Sequence, residues 1–290
     1  MKTKKHNIES ENLRLTRKSK TNFLFSTFFL NKEKSNALNA IYAFCRISDD
    51  IVDDDKISDS EKVIKFNKWK NEFTESLNGN TKNEFFNYLI KIINEYKIDK
   101  NHFLDLLKGM EMDLNKKEFK TFKDLHEYCL CVASTVGLIF IKITGYKNPH
   151  TVEYAINLGV ALQLTNILRD IKKDFENGRI YIPEEALEKF KYSKEEISKN
   201  LYNDNFVKLM KYEINRAKSY YEKANKYLDS VDYKTMLPAR IIDMTYYKIL
   251  KKIEKKNYNI YSGSVRLSKF RKVIISIKVF LKTKFIRFNA

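Results

Sequence analysis

Residues that form tight turns are scarce in this chain, which has only seven glycines and three prolines among 290 residues. A sandwich or barrel of short strands needs a turn about every 8–12 residues, whereas long helices need few turns. Hydrophobic residues make up 43% of the chain, so there is enough apolar surface for a folded core. The sequence therefore predicts an all-α fold, arranged as a single-domain helical bundle.

Apolar residues recur at helical spacing along most of the chain. Turn signals such as Asn148-Pro149 and Asn177-Gly178 separate the periodic stretches. The predicted helices are residues 32–52, 60–77, 83–97, 101–115, 121–144, 149–177, 194–202, 205–229 and 238–256.

No internal repeat or low-complexity linker divides the chain. We expect a basic, partly flexible N-terminal segment at residues 1–19, one helical domain at residues 20–268 and a basic amphipathic tail at residues 269–290. The formal net charge is +18, and cations are densest in the two terminal segments. Such charge favours an anionic partner: nucleic acid, a lipid headgroup surface or a phosphorylated small molecule.

The three cysteines indicate a reducing compartment, because an odd number within apolar helical patterns does not suggest a disulfide framework. We interpret Cys45, Cys129 and Cys131 as small core residues. The first residues are polar and basic, unlike a signal peptide, and no apolar run approaches ~20 residues. We therefore expect a cytoplasmic protein, with peripheral contact at the inner face of the membrane as an open alternative.

The first acidic motif, Asp49-Asp50-Ile51-Val52-Asp53, ends an otherwise apolar predicted helix. Asp49 and Asp53 are four residues apart and share a helix face, where their charges repel each other. A divalent cation bound to both carboxylates reverses the sign of that interaction. Taken alone, a pair of aspartates at this spacing is more often a solvated acidic face than a metal site.

The second acidic motif lies in predicted helix 149–177. Four polar residues follow one another there at spacings of three, four and four, so they form one stripe: Gln163, Asn166, Asp170 and Asp174. The neighbouring stripe is apolar and should face a core, where polar groups need partners. Carboxylate and amide oxygens suit Mg²⁺, which takes its other ligands from water and phosphate.

Together, the two motifs in a basic, all-helical chain predict two or three Mg²⁺ ions that hold a diphosphate. Mg²⁺ stabilises the charge that develops on pyrophosphate when an allylic diphosphate ionises. Arg46 and Arg169 either contact phosphate oxygens or pair with the adjacent aspartate. Glu111 and Asp113 form a third acidic pair, which belongs either to the site or to the surface.

An allylic cation requires a dry, apolar cavity with aromatic faces. The candidate wall residues, each of which could also be plain core, are Phe23, Phe25, Phe28, Phe29, Tyr42 and Phe44. Three glycines inside predicted helices either allow close helix packing or leave room for a long substrate: Gly109, Gly137 and Gly159.

At these motifs the sequence resembles the phytoene/squalene synthase family, and its bacterial phytoene and dehydrosqualene synthases in particular. The matching segments cover roughly residues 20–270. They are residues 40–53, Tyr128-Cys129 with Val132-Ala133 and Val136-Gly137, and residues 162–183. The last segment, with Asn-Ile-Leu-Arg-Asp followed by Gly-Arg-Ile-Tyr-Ile-Pro, is highly specific.

The resemblance implies an isoprenoid-synthase fold in which the two motifs face each other across a central cavity. The implied Mg²⁺ ligands are Asp49, Asp53, Asn166, Asp170 and Asp174. The four aspartates would be catalytic, together with Tyr128 beside the reacting carbons. The implied substrate-binding residues are Arg46, Arg169, Gln163, Asn166, Asp113, Tyr246, Phe23 and Lys20.

The chain departs from the family pattern at four points, one of which is the absence of a proline after Phe29-Leu30. Lys173 stands where the family often has glutamate, and Ser134 stands where it usually has glycine. The N-terminal phosphate-contacting segment reads Ser19-Lys20-Thr21-Asn22-Phe23, so Lys20 would replace a hydroxyl contact with a charge contact.

The implied reaction joins two farnesyl or geranylgeranyl diphosphates head to head, through a cyclopropylcarbinyl diphosphate, to a linear C30 or C40 hydrocarbon such as dehydrosqualene or phytoene. NADPH would be needed only for squalene. The alternatives are a squalene synthase, a head-to-tail elongase or terpene cyclase, and a non-enzymatic relative that acts as a scaffold. We do not expect a nucleic-acid partner, because the aspartates would repel phosphate without metal. Donor length and NADPH use stay open.

The basic tail mixes cations and apolar residues without acids between residues 269 and 282. Such a segment either lies on an anionic bilayer or closes the domain with its apolar face. Arg266, just before it, also matches a family segment and would reach the diphosphate.

Overall fold

The computed structural model describes residues 29–285, and every regular element in this range is a helix. In chain order these are α1 (Lys32–Val52), α2 (Asp59–Leu77), α3 (Glu84–Glu95), α4 (Asn101–Leu114), α5 (Phe122–Cys129), a π-turn (Leu130–Ser134), α6 (Thr135–Thr144), α7 (Thr151–Glu176), α8 (Glu184–Lys189), α9 (Lys194–Ser198), α10 (Asp204–Tyr227), a 3₁₀ turn (Ser230–Asp232), α11 (Leu237–Lys255) and α12 (Lys269–Phe285). The all-α prediction is confirmed.

Most predicted helices lie within two residues of their observed bounds. The predicted helix 194–202 is wrong at its end: α9 stops at Ser198, because Asn200 adopts a left-handed backbone with φ 50°. Helix α8 was not predicted, since six residues are too few to show helical periodicity.

The π-turn joins α5 and α6 where the sequence predicted one uninterrupted helix over residues 121–144. Ser134 Oγ donates a 2.8 Å hydrogen bond to the carbonyl oxygen of Ile156, which ties the turn to α7. Thr135 Oγ1 donates to the carbonyl oxygen of Cys131 inside the turn. Apolar periodicity is insensitive to one extra residue per turn, so the prediction missed this feature.

The three glycines inside helices allow close packing. A Cβ at Gly159 would lie 2.6 Å from Ser134 Cα, and a Cβ at Gly137 would lie 2.9 Å from the carbonyl oxygen of Ala155. At Gly109 it would lie 2.4 Å from a methyl group of Val132. These contacts support the packing interpretation, while Gly137 and Gly159 also line the central cavity, so room for a substrate there stays a prediction.

Helix α7 is the central element, and it packs against α5, the π-turn, α6, α10 and α11. Helix α1 packs against α2, α4 and α6. A cavity of about 300 Å³ lies between α1, the π-turn with α6, α7 and α11. Its lining is mainly apolar and includes Leu38, Val136, Phe140, Leu158 and Ile242.

One continuous helical stretch, Phe122–Thr144, is long and apolar enough to span a membrane by those two criteria, although none was expected from the sequence. Tyr128, Ile139 and Ile143 on this stretch are buried inside the bundle. The stretch is therefore accounted for as a core helix, whose apolar surface is covered by other helices.

Replacing Gly159 with valine should destabilise the fold, because the new Cβ would meet backbone atoms of the π-turn that cannot rotate away. We expect a loss of about 1–3 kcal/mol in the free energy of unfolding, measured by urea denaturation. Lys172→Val, on the exposed face of the same helix, is the control and should change stability by about 0.5 kcal/mol or less. Equal losses in the two variants would contradict the close contact.

Candidate active site

Helix α1 carries the first acidic motif on its last turns. Tyr42 and Cys45 line the cavity, and Asp49 and Asp53 follow one and two turns after Cys45 along the helix. The i, i+4 spacing keeps these residues on one side of α1. Helix α1 therefore places both carboxylates just past the C-terminal end of the stretch that lines the cavity.

Helix α7 carries the second motif in the same way. Gln163 and Asn166 line the cavity, and Asp170 and Asp174 continue their stripe toward the end of the helix. Asn166 and Asp174 are about 12 Å apart along the helix axis at 1.5 Å per residue. The stripe therefore runs from the cavity wall to the C-terminal turn of α7.

The two motifs are linked electrostatically through Asp113, which lies near the end of α4. Burial, then repulsion from Asp53, raises the pKa of Asp49 to about 7, and Asp113 adds to the rise. Burial, then repulsion from Asp170, raises the pKa of Asp174 to about 7, and Asp113 again adds to it. Asp113 itself has a pKa raised to about 6, mainly by burial. Asp113 thus influences one carboxyl group of each motif, and Asp49, Asp53, Asp113, Asp170 and Asp174 are together termed the acidic cluster.

Two arginines, Arg46 and Arg169, pair with aspartates of this cluster or beside it. Arg169 Nε donates to Asp170 Oδ1 at 2.9 Å, and Arg46 Nε donates to Asp50 Oδ2 at 3.1 Å. Tyr246, which lines the cavity from α11, lies beside Arg169. In this structure Arg46 and Arg169 therefore form ion pairs with the adjacent aspartates. Their contact with phosphate stays a prediction.

Asp113 accepts hydrogen bonds from two tyrosines. Tyr181 donates to Oδ1 at 2.6 Å and Tyr128 donates to Oδ2 at 2.8 Å, with the Tyr128 side chain almost fully buried. Glu111 points elsewhere, since it pairs with Lys70 at 2.9 Å and is partly exposed. The third acidic pair is therefore divided: Asp113 belongs to the cluster, and Glu111 to the surface.

The aromatic wall predicted from sequence is only partly present. Tyr42 lines the cavity, but Phe44 is fully buried core that packs on Trp69, Phe73 and Phe103. The prediction that Phe44 lines the cavity is therefore wrong, because its side chain points away from the cavity into the α1–α2–α4 interface. Phe29 stacks on Phe280 with ring centroids 5.5 Å apart. The remaining predicted residues lie outside the described range: Lys20, Phe23, Phe25 and Phe28.

The donor set fits a divalent cation. Three buried side-chain polar atoms have no hydrogen-bond partner among residues 29–285, and one of them is Asn166 Oδ1 at the cavity wall. A buried amide oxygen without a partner beside carboxylates is the chemistry that Mg²⁺ prefers. In the described part of the chain, no three His, Cys, Asp or Glu side chains are already gathered closely enough to hold a metal. A cation here would therefore rely on phosphate or water for several of its ligands.

Arg179 and Tyr181 both contact the acidic cluster, and neither was assigned a role from the sequence. Arg179 Nη1 donates to Asp53 Oδ1 at 2.7 Å, and Tyr181 donates to Asp113. Both belong to Gly178-Arg179-Ile180-Tyr181, which follows α7 directly. That position next to the second acidic motif is the one signal in the sequence that could have marked them.

Comparison with known proteins gives a consistent result. The family model described as squalene/phytoene synthase matches residues 16–271. A 15-cis-phytoene synthase from Synechococcus elongatus is 30% identical over 87% of this chain and 85% of its own length. Another 15-cis-phytoene synthase, from a Synechocystis species, is 34% identical over 83% of this chain and 74% of its own length.

Solved structures show the same fold. A dehydrosqualene synthase in complex with a ligand superposes with a TM-score of 0.87, at 24% identity, over 97% of this chain and 98% of that one. A squalene synthase from Alicyclobacillus acidocaldarius superposes with a TM-score of 0.80, at 24% identity, over 89% of this chain and 97% of that one.

The raised pKa values predict an unusual pH dependence of stability in the absence of divalent cations. The pKa of Asp49 and Asp174 is about 7 in the folded protein and about 4 in an unfolded chain. Between these values the folded state keeps protons that the unfolded state releases. The stabilising contribution of these groups therefore falls as pH rises from about 4 to about 7.

This effect is measured by urea denaturation in EDTA across that pH window. The Asp49→Asn/Asp174→Asn double variant should lose less stability with rising pH than the wild type, because asparagine does not titrate. Asp50→Asn, an exposed neighbour that pairs with Arg46, serves as the control and should follow the wild-type slope. A double variant with the wild-type slope would rule out buried carboxyls as the cause.

Proposed function

Because this chain belongs to the squalene/phytoene synthase family, whose members are prenyltransferases, we propose that it joins two allylic isoprenoid diphosphates head to head. The observation that carries the proposal is the acidic cluster beside the apolar cavity. Two helices, α1 and α7, bring carboxylates to this cluster from positions more than 100 residues apart in sequence. The relatives named above as 15-cis-phytoene synthases support the same chemistry.

Asp49 and Asp53 on α1, and Asn166, Asp170 and Asp174 on α7, are the proposed ligands of two or three Mg²⁺ ions. When bound, Mg²⁺ supplies Lewis-acid stabilisation of the leaving pyrophosphate. Arg46 and Arg169 lie beside these ligands, where they can donate bidentate hydrogen bonds to phosphate oxygens. Lys20 and Phe23 stay predicted substrate contacts.

The cavity suits a carbocation because its walls offer few nucleophiles. Cys45 is the thiol in its lining, and burial raises the pKa of that thiol well above its usual range. The group therefore stays protonated and is a weak nucleophile at neutral pH. Tyr42 and Tyr246 present aromatic rings that can stabilise positive charge.

Tyr128 is the proposed catalytic hydroxyl. Its hydrogen bond to Asp113 fixes the direction of its proton, and burial raises the pKa of the phenol, so it stays protonated. To donate a hydrogen bond to a departing diphosphate, this phenol would have to release Asp113 and turn its single proton toward the substrate. Gln163 would orient Asn166, whose amide nitrogen donates to it at 3.4 Å.

The proposed product is a reductant-free linear hydrocarbon, dehydrosqualene from farnesyl diphosphate or phytoene from geranylgeranyl diphosphate. A squalene synthase that uses NADPH is the second candidate, favoured by the structural likeness to a squalene synthase. A scaffold role is less favoured, because a non-enzymatic relative has no need of all four motif aspartates. The proposed cellular location is the cytoplasm.

Purified protein with Mg²⁺ and either diphosphate should form a C30 or C40 hydrocarbon without NADPH, read by mass spectrometry. EDTA should abolish it. Asp49→Asn and Asp170→Asn should each lower turnover by about 10³-fold, since several kcal/mol of charge stabilisation are lost and 1.4 kcal/mol corresponds to tenfold.

Asp50→Asn is the matched control, because it removes a neighbouring carboxylate that faces Arg46 and solvent. It should retain turnover within about threefold of wild type. A product that forms only with NADPH would select the squalene synthase. The absence of any head-to-head product from either diphosphate would refute the proposal.

We also propose that α12 rests on an anionic membrane and continues the catalytic domain proposed at residues 20–268. One face of α12 closes the bundle, since Ile275 and Val279 are buried and the helix packs against α11. A second apolar stripe points to solvent at spacings of three, four and four residues: Phe270 (74% exposed), Val273 (42%), Ile277 (51%) and Leu281 (44%).

The positive charge of α12 indicates that an anionic membrane covers its exposed apolar stripe. Helix α12 carries six lysines and arginines and no acidic residue. An apolar stripe flanked by cations complements anionic lipid headgroups over acyl chains. Lys272 on the same helix is close enough to Arg169 and Arg266 that, after burial, these cations lower its pKa. Helix α12 therefore lies near the second acidic motif, where apolar substrates are needed.

Phe270→Ser/Ile277→Ser should weaken binding to vesicles that contain phosphatidylglycerol by at least about tenfold in a sedimentation assay, because two apolar side chains no longer enter the acyl region. Val63→Ser/Ile64→Ser removes similar exposed apolar surface from α2 and should bind like the wild type. Membrane docking would be refuted if the wild-type protein did not bind anionic vesicles, or if the two double variants weakened vesicle binding equally.

A further inference from the structure

Arg179 connects both acidic motifs, although it belongs to neither. Its guanidinium donates to three acceptors: Asp53 Oδ1 at 2.7 Å, the Asp113 carbonyl oxygen at 3.3 Å and the Val52 carbonyl oxygen at 3.4 Å. The side chain is only 12% exposed. One cation therefore holds the C-terminal ends of α1 and α4 together.

Arg179 reaches this position because it follows closely after the C-terminal end of α7. Gly178 adopts φ +74°, a left-handed conformation that ends the helix. The Arg179 amide then donates to the Asp174 carbonyl oxygen at 2.8 Å. The guanidinium is thus anchored beside the second motif while it neutralises a carboxylate of the first.

The electrostatic role of Arg179 extends beyond its direct partner. Burial is the largest influence on Asp113 and Asp174 and raises the pKa of both, whereas Arg179 acts on both in the opposite direction. Asp53 is also repelled by Asp49, which shares its helix face. Arg179 therefore offsets part of the repulsion among Asp53, Asp113 and Asp174.

A metal ion that binds Asp53 Oδ1 would compete with this guanidinium, and one that binds Oδ2 would still place its charge beside Arg179. Asp53 Oδ1 already accepts a 2.7 Å charge-assisted hydrogen bond, and such pairs are among the stronger polar contacts in proteins. A divalent cation alone would bring two positive charges next to Arg179. A diphosphate arriving with the metal would supply new acceptors for the guanidinium.

We propose that Arg179 is an exchangeable counter-ion: it holds Asp53 until Mg²⁺ and a diphosphate bind together, and then transfers its hydrogen bonds from Asp53 to the diphosphate. This inference rests on the proposed function, because it concerns the same site. It makes Arg179 a positioning residue that couples the binding of the two ligands. Coupling is reciprocal, so each ligand then tightens the binding of the other.

The test measures Mg²⁺ affinity at controlled free Mg²⁺, by calorimetry and by thermal shift, with and without inorganic pyrophosphate. Arg179→Gln should bind Mg²⁺ alone about tenfold more tightly than wild type, because the competing cation is gone. The factor by which pyrophosphate tightens Mg²⁺ binding should fall by about tenfold in the same variant. A residue with a merely structural role would weaken Mg²⁺ binding when removed.

Lys116→Gln is the matched control, because it removes one positive charge at the same corner, where Lys116 packs near Gly178 and pairs with the exposed Asp59. It should leave both quantities within about twofold of wild type. In an Asp53→Asn background, Arg179→Gln should no longer raise Mg²⁺ affinity, since the contested carboxylate is absent.

Two results would overturn the exchange. One is a folded Arg179→Gln variant whose Mg²⁺ affinity is unchanged or lower. The other is an equal rise of affinity in the Asp53→Asn background, which would reflect net charge alone. None of these measurements needs turnover. If the Mg²⁺ and pyrophosphate results were as expected but no hydrocarbon formed, the proposed function would be refuted and the exchange at Arg179 would stand.

Discussion

The mutual repulsion of carboxylates gathered in a mainly apolar bundle is the constraint on which the rest of this structure depends. Asp49, Asp113 and Asp174 are buried enough for their pKa values to rise to between about 6 and about 7. Such a cluster persists only if protons, hydrogen bonds or cations compensate the charge. Tyrosine hydroxyls and arginines provide part of that compensation, and divalent metal with diphosphate would provide the remainder.

The helical scaffold explains how the cluster and the cavity meet. Helix α7 lines the cavity with Gln163 and Asn166 and then carries Asp170 and Asp174 onward along the same face. The π-turn approaches α7 closely at Gly159. Tyr128 reaches Asp113 from α5, the helix just before that turn. The polar chemistry and the apolar space are therefore adjacent because one continuous helix serves both.

The two acidic stripes were predictable from local spacing, because i, i+4 aspartates beside an apolar stripe carry their signal within one helix. Arg179 was not, since its partner Asp53 is 126 residues away in sequence. Glu111 and Asp113 show the same limit: they are two residues apart, yet one pairs with Lys70 on the surface and the other accepts from Tyr128 inside. Phe44 was misplaced for the same reason, because periodicity does not say which neighbour a buried face meets.

The sequence by itself determined the all-α class, most helix bounds and the two acidic stripes, because each of these depends on contacts within about one helical turn. The tertiary structure decided which carboxylates share a cluster, which arginine each one meets and where the cavity lies. It also decided that α12 has one buried and one exposed apolar stripe. These properties depend on the packing of helices distant in sequence, and the free energy of that packing is not encoded in local spacing.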